Sequence, residues 1–118
     1  MDYKKVIYDL DEFSNAFNYF WKTYKDYQKA QDDADIIKET AKDFLASVMS
    51  ELGQDRSEVK LERLARGSEK WKEFRKGQFT AMRIAGEKKV KYFSALRYFD
   101  TIQSGLAYKR AELQKLGG

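Results

Sequence analysis

The stretch WKEFRKGQFTAMRIAGEKKVKYFSALRYFDTIQSGLAYKRAELQKL, residues 71–116, decides the fold. Within it Trp71, Phe74, Gln78, Ala81, Ala85, Lys88, Tyr92, Ala95, Phe99, Ile102, Leu106, Lys109, Leu113 and Leu116 follow one another in alternating steps of three and four. Eleven of these fourteen positions are apolar, so they trace one face of a helix. A repeat of about 3.5 residues held this long marks a left-handed coiled coil, because a straight helix drifts off such a seam by about 20° per heptad. Lys88 and Lys109 on the seam must snorkel, pair with a carboxylate or specify register, and we read them as setting register.

A second apolar row lies beside the first at Phe79, Met82, Gly86, Val90, Phe93 and Leu96, and two rows call for two neighbours. The first neighbour is an aromatic helix upstream, whose stripe reads Phe13, Phe17, Phe20, Tyr24, Tyr27, Gln31, Ala34, Ile37, Ala41, Phe44, Val48 and Leu52. Asp11 and Ser14 are the N-cap types at its start. Gly53 follows its last apolar residue, and Asp55 with Glu58 resembles a capping box that restarts the chain. A short helix over 57–66 is then interrupted by Gly67-Ser68, and Ser68 caps the helix that runs to about Leu116. Residues 1–10, with Val6, Tyr8 and Leu10 in loose alternation, read as a short strand or an irregular arm. The organisation is a single domain over 1–118: arm 1–10, first helix 11–52, short helix 57–66 and second long helix 68–116. The fold expected is an all-α, long antiparallel helical hairpin with coiled-coil packing. At about 1.5 Å per residue its helices reach roughly 60 to 70 Å, too long for a lone hairpin to bury both rows, so assembly into an oligomer is expected. Tyr92, Ala95, Phe99, Ile102 and Leu106 are the residues assigned to that assembly.

Composition agrees with helices and narrows the chemistry. The 118 residues include no proline, cysteine or histidine, with 42% hydrophobic and 36% charged side chains. Without cysteine there is no disulfide framework and no thiolate metal site, and without histidine the commonest general base is absent, so no enzyme, no catalytic residue and no cofactor is expected. The Asp32-Asp33-Ala34-Asp35 cluster lies mid-helix and splays in different directions, which reads as a solvated face rather than a metal site. No glycine spacing builds a phosphate loop. No run approaches the roughly 20 apolar residues of a membrane span, and the start lacks the pattern of a signal peptide, so a cytoplasmic protein without membrane contact is expected.

Charge is divided unevenly: residues 1–53 carry 7 basic and 11 acidic side chains, residues 54–118 carry 16 and 8. Either the halves neutralise each other or the basic half meets an anionic partner, of which nucleic acid is the commonest. Cations and aromatic residues interleave from Lys60 to Arg97, a pairing suited to single strands. Because Trp71, Phe74, Tyr92 and Phe99 sit on the seam, the rings read as core, and the DNA-binding candidates are the cations Lys60, Arg63, Arg66, Lys70, Arg75 and Lys76.

The serine-led short segment, the restart at Ser68, and Lys89-Val90 followed by Leu96, Tyr98, Asp100 and Ser104-Gly105 resemble the UvsY-type phage recombination mediators, with an aromatic helix similarly placed upstream. The resemblance is one of pattern and order across most of the chain. It implies an oligomeric hairpin that binds single-stranded DNA and helps load a recombinase onto DNA in place of single-strand-binding protein, in the cytoplasm of a phage-infected bacterium. No DNA-contact motif of those mediators carries over residue by residue. The alternative function is a helical phage-type inhibitor or adaptor that binds a host protein without nucleic acid. Sedimentation at micromolar concentration tests the expected assembly: an oligomer is the predicted outcome, and a monomer refutes it.

Overall fold

A computed structural model of the chain describes residues 3–53 and 55–117, with side chains from Leu10 to Gly53 and from Asp55 to Leu116. The fold is an all-α antiparallel helical hairpin with coiled-coil packing, built from α1 (Tyr3–Glu51), α2 (Glu58–Arg66) and α3 (Glu69–Gly117). Among the described residues there is no strand. The expected arm over 1–10 is therefore corrected from Tyr3 onward: α1 already runs there, eight residues ahead of the Asp11 start. Tyr3, Val6, Ile7 and Leu10 are spaced by three and four, a helical pattern that the looser alternation obscured.

The connection behaves as its residue types require. Gly53 ends the turn after α1 with φ +92°, a left-handed conformation that side-chain-bearing residues rarely adopt. The N-cap of α2 is Ser57 rather than Asp55: its backbone is extended, and its Oγ accepts from the Lys60 N–H at 3.4 Å. Ser68 caps α3 by accepting from the Trp71 N–H at 3.3 Å, while its own hydroxyl donates to the Ala65 carbonyl at 2.6 Å.

The chain forms two compact units, each drawing on α1 and α3. Unit 1 combines the chain up to Gln28 with the chain from Glu87 onward. Its packing is knob into hole. The Phe99 ring lies 5.2, 5.7 and 5.5 Å from those of Phe13, Phe17 and Phe20. The Tyr92 ring lies 5.6, 5.5 and 5.7 Å from Phe20, Tyr24 and Tyr27. Each set is three of the four corners of an i, i+3, i+4, i+7 hole, and the fourth corners are Ala16 and Thr23, both buried. Small residues at those floors let the helices approach closely, and the Thr23 hydroxyl is satisfied by donating to the Phe20 carbonyl at 2.8 Å. The α1 seam thus runs Phe13, Ala16, Phe20, Thr23, Tyr27, and the expected Phe17 is a wall of the hole with 44% of its surface exposed.

Unit 2, Lys29–Gly86, holds α2 and the turn. Phe44 stacks on Phe74 with centroids 4.5 Å apart, Trp71 stacks on Phe74 at 5.4 Å, and Val48, Trp71 and Ala65 are buried. Further along, Ala34, Gln78 and Ala85 are buried, and the Gln78 Oε1 accepts from the Arg75 guanidinium at 2.7 Å. The α3 seam is the one the heptads gave, from Trp71 through Leu113, with every position buried or half-buried; Leu116 is exposed.

Replacing Phe99 by Ala empties a filled hole and is predicted to cost roughly 3 kcal/mol, whereas Phe17→Ala at the exposed wall costs well under half of that. Urea unfolding followed by circular dichroism distinguishes the two, and equal losses would contradict the seam described.

Candidate nucleic-acid interface

Residues 56–76 carry eight lysine or arginine side chains against four carboxylates, within unit 2. The cap at Ser57 and the basic last turn of α2 place Lys60 and Arg63 one helical turn apart on an exposed surface. Neither forms an ion pair with a described residue. The other four candidates are engaged. Arg66 donates from Nη2 to Glu62 Oε1 at 2.9 Å and stands over the Trp71 ring, its Cζ 5.7 Å from the centroid. Lys70 pairs with Glu51, and Lys76 with Glu73 at 3.4 Å. Arg75 donates to Gln78 and lies 4.7 Å from the Phe79 ring centroid. These ion pairs are solvent-exposed, and such pairs contribute about 0–1 kcal/mol each, so exchanging a carboxylate for a phosphate costs little.

The geometry also bears on how the charge asymmetry is met. The pairs Arg66–Glu62, Lys72–Glu69 and Lys76–Glu73 are local, between residues three or four apart, whereas Lys70 with Glu51 joins the acidic half to the basic half. Asp32, Asp33 and Asp35 are exposed, and Asp35 accepts from the Gln31 amide at 3.0 Å. Among the described residues no group of three or more acidic side chains could hold a metal ion, and no helix is long and apolar enough to cross a membrane.

The residues assigned to assembly lie in unit 1. Ala95 and Phe99 are buried and Tyr92 half-buried against α1 of the same chain, which accounts for their seam positions; Ile102 and Leu106 are half-buried. The second row on α3 is where apolar surface stays open: Phe79 and Met82 in unit 2, Val90 and Phe93 in unit 1, each 46% exposed or more. Unit 2 also has an apolar groove of about 440 Å³ lined by Ala30, Asp33, Ile36, Ile37, Gly77, Thr80, Ala81 and Ile84.

Sequence reasoning missed one feature. Trp21 belongs to no stripe, yet its ring lies 5.6 Å from Tyr24; Tyr24 lies 5.5 Å from Tyr92, and Tyr92 5.3 Å from Phe93. This row crosses unit 1 from α1 to α3. The signal available was the i, i+4 spacing of Trp21 with Lys25 and of Lys89 with Phe93. Compared with protein families, curated proteins and solved structures, the chain matches none.

The Ser68 cap starts the helix that carries Lys70 in its first turn and Lys76 in its second. Ser68→Ala is predicted to lower stability by about 0.5–2 kcal/mol. Thermal unfolding measures this, and an unchanged midpoint would show the cap to be without effect.

Proposed function

We propose that this chain is a non-enzymatic recombination mediator of phage type. It binds single-stranded DNA through phosphate contacts on unit 2, assembles with copies of itself, and helps a recombinase displace single-strand-binding protein. The observation that carries the DNA reading is the excess of cations over carboxylates in residues 56–76, with Lys60 and Arg63 adjacent, exposed and unpaired among the described residues. A helical surface of Lys and Arg reads phosphate charge and not base edges, so little sequence preference is expected. A flexible strand follows such a surface more easily than a stiff duplex. Exposed Ile36, Phe79, Met82 and Ile84 in unit 2 support the assembly part. The same exposed residues favour the second reading, an adaptor or inhibitor that covers a host protein without nucleic acid.

The test is salt-dependent binding of a labelled single-stranded oligonucleotide to the parent and to a variant with Arg63, Arg66, Lys70 and Lys76 all changed to Glu. The parent is expected to bind at low salt and weaken steeply as salt rises; the variant is expected to keep its helical circular dichroism and lose binding. A parent that does not bind at low salt rejects the mediator in favour of the adaptor, and a variant that binds like the parent removes the site from α2.

A further inference from the structure

The aromatic row of unit 1 has no role in phosphate binding, and its composition is more specific than an apolar patch. Its two outer rings, Trp21 and Phe93, are 48% and 46% exposed, while the two inner rings, Tyr24 and Tyr92, are half-buried and hold them in place. Lys25 Nζ lies 5.9 Å from the Trp21 centroid, and Lys89 Nζ lies 5.9 Å from the Phe93 centroid. Neither lysine forms an ion pair with a described residue. Each end of the row therefore presents a half-exposed ring with an exposed lysine over its face, a flexible cation that a stacking base displaces toward the strand's phosphates.

Resting on the reading that the chain binds single strands, we infer that this row is a base-stacking face: Trp21 and Phe93 take up nucleobases of a single strand while Lys25 and Lys89 neutralise its phosphates. An anionic polymer with planar, exposed rings is complementary to both components at once, since ring faces stack on bases of any identity and lysines meet the backbone between them. A second copy docking through the same face fits less well, because it sets a face that carries Lys25 and Lys89 against another that carries the same two cations. Duplex DNA, whose bases are already stacked on each other, offers the rings nothing.

The experiment compares the full chain with Trp21→Ala/Phe93→Ala, each titrated with an oligothymidylate and with an abasic deoxyribose-phosphate strand of the same length and charge. The parent is expected to bind the thymidylate more tightly than the abasic strand by roughly 30-fold or more, the lower bound for two stacked bases. The double variant is expected to lose that preference and keep the salt-dependent affinity for the abasic strand. Trp21→Phe retains a ring and guards against misfolding: it should keep the preference while abolishing the fluorescence quenching that Trp21 gives on binding. A parent that binds both strands equally overturns the stacking face and leaves the phosphate reading intact, whereas failure to bind either strand rejects nucleic-acid binding altogether. Two further outcomes overturn the inference: a Trp21 response to anionic phospholipid vesicles but not to oligonucleotide, or a double variant whose only change is a smaller sedimentation coefficient.

Discussion

The insertion of Phe99 and Tyr92 into holes floored by Ala16 and Thr23 is the interaction on which unit 1 depends. A large ring can enter only where the opposing position is small, so the chain alternates bulk between its two helices. That choice fixes which faces close and which stay open. With Ala16 and Thr23 at the floors, Phe17 and Tyr24 become walls, and Trp21, one turn beyond Phe17, is carried to the outside of the pair. The exposed aromatic surface is thus a consequence of how the core is filled.

In unit 2 the same economy takes another form. Phe44, Trp71 and Phe74 supply a stacked cluster next to the turn, and Ala65 brings α2 close enough to be part of the same core. Cations then crowd the outside of a short element whose inside is committed to packing. Arg66 shows both roles, with its guanidinium between Glu62 and the face of Trp71. Such a side chain keeps its position when its carboxylate partner is exchanged, because the ring contact survives.

Much of this was legible in the residues, and the exceptions have physical reasons. The α3 seam could be read because its steps of three and four continue unbroken from Trp71 to Leu116, whereas the second row beside it covers only Phe79 to Leu96. On α1 two tracks run side by side, Phe13–Phe17–Phe20–Tyr24 and Phe13–Ala16–Phe20–Thr23, and bulk favours the first on paper. Which of two adjacent residues faces a partner depends on the size of what stands opposite, here Phe99 and Tyr92, and that is information from another helix. The Gly53 turn was visible because a positive φ restricts residue type so strongly. Asp55 and Ser57 are both capping types, and only the extended backbone directly before Glu58 selects the serine. Among the cations, sequence identified the cluster but not which members are paired, since Lys70 finds Glu51 across 19 residues.

The two units also differ in how far apart along the chain their contacts lie. Lys70 reaches Glu51 across 19 residues, whereas Tyr98 donates to Glu12 across 86. Closing the longer loop from the unfolded chain costs about 1.3 kcal/mol more, on the logarithmic dependence of closure entropy on length. Closure entropy alone therefore weighs less on the contact beside the turn in unit 2 than on the one that joins the far ends of α1 and α3 in unit 1.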